Sequence, residues 1–256
     1  REKPRGLSVS TMELRLAAIK ERHLSAGLPD PTAHQGVLEV FAGLRRQIGV
    51  AKKGKSAADL PVMRKLVGTL DRSKLQGKRD AAVLLVGFAG AFRRSTLVAR
   101  MVADLTWVDG GVVIHVDREK QDQEGAGRDV GVAAAADGSL CPVAALKEWL
   151  SAAQITAGPL FRGVTRHGTV LPEGMCDRNV AEIIKTACRK AGLDPRLFSG
   201  HSMRSGHVTE GFAQGVPADR LMSQTGHTSI EMLMKYKRRA DAIAGGSSKG
   251  LLDKKP

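Results

Sequence analysis

Three short motifs near the end of this 256-residue chain carry side chains able to do chemistry at a phosphorus centre. His201, Ser202, Met203 and Arg204 form the first, Thr225, Gly226 and His227 the second, and Tyr236, the only tyrosine in the chain, is the third. Two imidazoles, a guanidinium and a lone phenol in one strongly basic protein suit a phosphodiester. A phenol has a pKa of about 10, so at pH 7 only about one in a thousand is ionised, a deficit of roughly 4 kcal/mol that a base or a positive surrounding must offset. His201 is the candidate base. Arginine forks can clamp the negative charge that builds on the non-bridging oxygens when a nucleophile attacks phosphorus.

The positions agree with such a grouping. His201 and Arg204, three residues apart, share one face of a helix and can grip the same small object. Gly226 and His227 stand at an expected helix start, with Thr228 and Ser229 as capping candidates, and a helix N-terminus favours an anion. The bland alternatives are a buried structural histidine beside a surface arginine, and a tyrosine that merely packs. Against the second stand the cations around Tyr236, namely Lys235, Lys237, Arg238 and Arg239.

Composition narrows the partner. The net charge is +14, which points to a polyanion such as nucleic acid rather than a small neutral substrate. The most apolar run, residues 81–92, is shorter than the roughly 20 residues that a bilayer requires, and no stretch has a signal-peptide layout. A cytoplasmic, nucleoid-associated protein without a membrane partner is expected. Cys141, Cys176 and Cys188 are odd in number and widely spaced, so neither a disulfide framework nor a zinc site is indicated. A two-metal nuclease needs clustered carboxylates, and the motifs hold none, so no metal and no cofactor are expected. The start at Arg1 rather than methionine suggests a piece of a longer protein.

The elements that must position these groups are legible in outline. Residues 8–26 read as a helix capped by Ser8, Ser10 or Thr11, and Gln35 to Ile48 as a second, ending in Arg45 and Arg46. Residues 51–78 carry eight cations against two anions, a local excess of +6, and read as a basic linker whose first part holds Lys52, Lys53 and Lys55. We expect Arg45, Arg46, Lys52, Lys53 and Lys55 to touch phosphates. A nearly apolar helix follows over 79–90, then a polar interruption from Phe92 to Leu97. Three β-branched segments, 105–108, 112–116 and 128–132, predict a small antiparallel sheet, with Gly110 and Gly111 at the first turn. Helices return after Pro142 and again around Val180 to Cys188. The fold class is mainly α with a small three-stranded antiparallel sheet, that is, α+β.

With these motifs in order, the chain resembles the tyrosine recombinase, or phage-type integrase, family. The resemblance covers about residues 80–240 and rests on Arg93 within 91–95, Lys120 in its charged hairpin, His201 with Arg204, Gly226 with His227, and Tyr236 nine residues on. It implies a catalytic domain over 79–240, preceded by a partial helical core-binding domain over 1–50 and followed by a flexible tail over 241–256. It implies that Arg93, Lys120, His201, Arg204 and His227 serve catalysis with Tyr236 as nucleophile, forming a 3′-phosphotyrosyl intermediate in DNA integration and recombination for a mobile element. Double-stranded DNA and a homotetramer assembled on it are the implied partners. One departure stands out: where the family often has an acidic residue three positions after its first arginine, this chain has Thr96. Two alternatives stay open, a type IB topoisomerase that only relaxes DNA and an inactive DNA-binding accessory protein. Finally, one unbroken helix would set His227 and Tyr236 about 13.5 Å apart on opposite faces. A bend before Tyr236, or a tyrosine held out of the site, is therefore expected.

Overall fold

The computed structural model describes residues 6–50, 55–117, 127–234 and 236. They fall into two compact units that divide between Gly54 and Lys55.

The first unit is a pair of helices. α1, Val9–Ser25, starts where the Ser8 side chain accepts a hydrogen bond from the Thr11 amide. Asp30 caps a short 3-10 turn at Pro31–Ala33 and also meets Lys20 at 3.6 Å. α2, Gln35–Ile48, ends in Arg45 and Arg46, cations placed at the negative end of the helix dipole. Arg45 sits 3.5 Å from Glu13 of α1. Leu14, Leu38 and Val40 remain exposed, as two helices cannot enclose an apolar face by themselves.

The second unit is helical with a sheet on one side. α3, Leu60–Gly68, begins at Asp59, whose carboxylate accepts from the Val62 amide at 3.1 Å. It lies inside the stretch expected to be a basic linker and contributes Met63, Leu66 and Val67 to the core. α4, Leu75–Ala89, buries the run from Ala81 to Val86 and is the centre of the unit. α5, Arg94–Val98, occupies the expected polar interruption. β1 (Leu105–Val108), β2 (Gly111–Val116) and β3 (Arg128–Ala133) form the antiparallel sheet in that order. Ile114 pairs with Leu105 and Val130, so Val112, Ile114, Val116, Val130 and Val132 all turn the same face to the core. Gly110, at φ 73°, makes the first hairpin turn.

α6, Pro142–Ala152, packs on α4, and its fully buried Trp149 donates through Nε1 to the Leu160 carbonyl at 2.9 Å. A second hairpin, β4 (Arg162–Val164) with β5 (Val170–Gly174), leads into α7, Asp177–Lys190. α8 spans Ser202–Ala213 and α9 spans Ala218–Thr225; residues 230–234 and 236 are again helical. The main core runs through α3, α4, the three-stranded sheet, α6 and α7. A small satellite of Val208, Leu221 and Leu233 lies under α8 and α9. Cys141, Cys176 and Cys188 are free thiols. Among the described residues no helix is long and apolar enough to cross a membrane.

Candidate active site

The site begins at the end of α4. Ala91 adopts φ 50°, a left-handed conformation that is unfavourable for any residue with a side chain. The turn drives Phe92 into the core and leaves half-buried Arg93 as the residue just before α5. It also turns the Ala91 carbonyl toward α8, where it accepts from Arg204 Nη1 at 2.8 Å. Arg204 is only 1% exposed, so this long cation is held in the interior by fixed partners.

α8 is set by its own entry turn and by the segment that opens the second unit. The Ser199 amide donates to Ser202 Oγ at 2.9 Å, and the His201 amide to Ser199 Oγ at 3.3 Å. The Ala58 amide donates to the Ser202 carbonyl at 2.9 Å, and the Leu60 amide to Glu210 at 3.3 Å. Gly206 permits this approach, because a Cβ there would lie 1.9 Å from the Ala58 carbonyl oxygen. His201 is the residue that caps α8 and Arg204 lies in its first turn, so the expected shared face exists at the very start of the helix. Although His201 as a residue is exposed, its ring is desolvated by its surroundings. That desolvation, followed by the charges of Arg204 and Arg93, holds its pKa below the usual 6.5. The two arginines therefore both act on this imidazole.

His227 arrives from α9. The helix stops at Gly226, φ 63°, a left-handed position that glycine adopts without penalty. The Thr225 hydroxyl is 2.7 Å from His227 Nδ1, and Arg204 Nη2 is 3.4 Å from His227 Nε2. His227 is 8% exposed. It stands in the link between two helical segments, so the expected helix start comes three residues later, at 230.

Two residues that sequence reasoning missed hold this turn. Arg128, the first residue of β3, donates through Nη1 to the Gln224 carbonyl at 2.8 Å, at the negative end of α9. The Gln224 amide nitrogen donates to the Ala89 carbonyl at 3.0 Å and to the Gly131 carbonyl at 2.8 Å. The end of α9, the end of α4 and the edge of the sheet are thereby joined. These partners are separated by 93 to 135 positions, and no local pattern announces them.

Tyr236 closes the group. Its hydroxyl is 3.1 Å from His201 Nε2, and its ring centroid is 6.3 Å from that of His227. The nine-residue gap is bridged because residues 227–229 are not helical, so the bend falls directly after His227. Neither an unbroken helix nor a tyrosine held away from the site describes the arrangement. Packing and chemistry also coexist here, since the half-buried ring rests against the satellite of Val208, Leu221 and Leu233.

Arg93, His201, Arg204, His227 and Tyr236 thus come together from the ends of four segments. Lys120 falls in the β2–β3 connection, outside the described residues, as do Lys52 and Lys53. Thr96 is buried, and its carbonyl accepts from Arg100 Nε at 3.1 Å. Arg100 continues to the His115 carbonyl at 2.6 Å and to Asp104 at 3.2 Å, bracing α5 against β2. Of the expected phosphate contacts, Arg45 and Arg46 are exposed on α2, and exposed Lys55 donates to the Arg196 carbonyl at 2.5 Å. No group of three His, Cys, Asp or Glu side chains placed to hold a metal occurs among the described residues. A phenol within hydrogen-bond distance of a neutral-leaning imidazole, flanked by guanidinium groups, can attack an electrophile and have the resulting negative charge neutralised.

An integrase/recombinase xerD homolog from Selenomonas ruminantium is 38% identical over 230 residues, covering 89% of this chain and 67% of that protein. Recombinase cre from Escherichia phage P1 is 26% identical, covering 97% of this chain and 76% of that protein. In fold the chain is similar to the XerH site-specific recombinase, with a TM-score of 0.62 at 13% identity over 98% of this chain and 74% of that one. The Tn1549 transposon integrase also gives a TM-score of 0.62, at 16% identity over 90% of this chain and 75% of that one. Residues 60–242 match the phage integrase family, and the chain belongs to it.

Proposed function

We propose that this chain is a site-specific DNA recombinase that cuts and rejoins double-stranded DNA through a covalent 3′-phosphotyrosyl linkage at Tyr236. The observation that carries the reading is the 3.1 Å separation of the Tyr236 hydroxyl and His201 Nε2 beside Arg204. His201 takes the phenolic proton as the tyrosine oxygen bonds to phosphorus. Arg93 and Arg204 hold the non-bridging oxygens, and His227 completes that cradle. The bond from phosphorus to the 5′ oxygen breaks, and Lys120 gives the departing oxygen its proton. The phosphotyrosyl linkage conserves the energy of the broken bond, so a second 5′ hydroxyl can reverse the step without ATP.

The surface supports the same partner. The +14 charge, the excess over residues 51–78, and Arg45, Arg46, Lys52, Lys53 and Lys55 suit a phosphate backbone. Residues 1–50 serve as a partial core-binding domain and 79–240 as the catalytic domain, to whose core α3 of the basic stretch 51–78 also contributes, with 241–256 as a tail. The protein works in the cytoplasm at the nucleoid, as a homotetramer assembled on two DNA sites. The test supplies purified protein with two candidate attachment sites on supercoiled plasmids. Joined recombinant products support the reading, whereas relaxed plasmid without exchange between sites overturns it in favour of a topoisomerase.

A further inference from the structure

The protons of the Thr225 and His227 pair can be assigned from heavy-atom distances alone. Thr225 is fully buried, and its Oγ1 lies 2.5 Å from the Leu221 carbonyl oxygen, 3.4 Å from the Met222 carbonyl oxygen and 2.7 Å from His227 Nδ1. A hydroxyl has one proton, and a carbonyl oxygen has none. Two oxygens at 2.5 Å require a proton between them, so the hydroxyl donates to Leu221. His227 Nδ1 must then supply the proton for its own contact with Oγ1. A neutral imidazole carries a single N–H, which leaves Nε2 with a lone pair. The opposite side of the ring gives the same answer independently: Nε2 faces Arg204 Nη2 at 3.4 Å, and a guanidinium can only donate.

We infer that Thr225 is a positioning residue that fixes His227 as the Nδ1–H tautomer and, with Arg204, aims the Nε2 lone pair into the site. One directional chain results. His227 donates to Thr225, and Thr225 donates to Leu221. On the other side Arg204 donates both to His227 and to the Ala91 carbonyl. The consequence deepens the proposed function and rests on it: in the neutral ring Nε2 accepts from Arg204 and offers nothing to a phosphodiester, which has no proton of its own, so His227 joins the cradle as a donor only after taking a second proton at Nε2. Thr225 therefore decides which of two opposite hydrogen-bonding roles the ring can play. Only a hydroxyl at this position does so, because valine has the same shape and nothing to accept the Nδ1 proton.

The test combines a tautomer readout with a rate. The full chain is labelled with 15N-histidine, His227 is assigned by its loss in His227→Gln, and its two ring nitrogens are classed as protonated or lone-pair by NMR. Adduct formation on nicked DNA is measured in parallel. Wild type and Thr225→Ser should carry the proton on Nδ1. Thr225→Val should shift it toward Nε2, where it opposes the Arg204 donor and turns the ring out of place, and so slow adduct formation about ten-fold or more, with DNA affinity retained. The His201 and His207 signals report whether Thr225→Val keeps its fold, and Thr225→Ser gives the same comparison should it not. A wild-type ring protonated at Nε2 overturns the assignment, whatever the activity. A shifted tautomer with an unchanged rate overturns the positioning role. Normal tautomers with no adduct from any variant would count against the proposed reaction and leave the assignment standing.

Discussion

His201 Nε2 lies 3.1 Å from the hydroxyl of Tyr236, across 35 positions of sequence. The imidazole also has its pKa held below 6.5 by desolvation and by Arg204 and Arg93. A base with a depressed pKa stays neutral, and able to accept the phenolic proton, to lower pH. The acid limb of the cleavage profile should therefore fall below the ordinary histidine value, read from single-turnover adduct formation between pH 5 and 8. His201→Gln should remove that limb and slow the reaction by about 10²–10⁴-fold.

Arg93 is expected to act twice. Its charge stabilises the negative phosphate and also opposes protonation of His201. Arg93→Gln should lower the cleavage rate by about 10²–10³-fold and move the remaining acid limb upward. A variant that loses rate with no displacement of the limb would show that Arg93 does not influence the base.

Acidification should also weaken the fold, and the sign follows from the depressed values. His207, desolvated and set edge-on to Phe88 with ring centroids 5.9 Å apart, has its pKa lowered by burial above all. The unfolded chain takes up protons near 6.5 that the folded chain resists, so this contribution is full above that value and is lost as pH falls below it. The urea midpoint should drop between pH 7.5 and 5. His207→Gln should make that drop smaller.

Gly206→Ala tests the joint between α8 and residues 56–60. A methyl 1.9 Å from the Ala58 carbonyl forces backbone apart, at about 2–3 kcal/mol. Melting temperature and adduct formation should fall together, since this joint supports the helix that carries His201 and Arg204. Retention of wild-type stability would mean that the segment is not held there.

Gln224→Ala should separate positioning from DNA binding. It removes donors to the Ala89 and Gly131 carbonyls and loosens the turn that delivers His227. Adduct formation should slow by roughly ten-fold, the equivalent of about one net hydrogen bond, while the affinity for DNA in a filter-binding titration stays close to wild type.

How much of this could be read beforehand depended on whether the signal was local. His201, Arg204, His227 and Tyr236 are chemically distinctive residues at motif spacing, and the three-stranded sheet announces itself through β-branched alternation and Gly110. The two helices of the first unit were legible from the capping candidate Ser8 and from the basic end at Arg45 and Arg46. By contrast α3 was hidden, because Arg64 and Lys65 sit between the buried Met63, Leu66 and Val67 and the cations dominated the reading. α5, α9 and the β4–β5 hairpin are short and weakly patterned. The supports of the site, Arg100, Arg128, Gln224 and the Ala91 carbonyl, act across long sequence separations or through the backbone, where residue type says nothing. The bend expected before Tyr236 falls at 227–229, and the helix starts at 230 rather than at His227 as the spacing suggested.

The most direct measurement of the central claim uses nicked suicide DNA that releases a short fragment after cleavage and so traps the cut state. Wild type should give a DNA-linked band that survives denaturation, and peptide mass mapping should place the linkage on Tyr236; Tyr236→Phe should bind the DNA and give no such band. A covalent band that persists in Tyr236→Phe, or a linkage mapped to any other residue, would contradict the account.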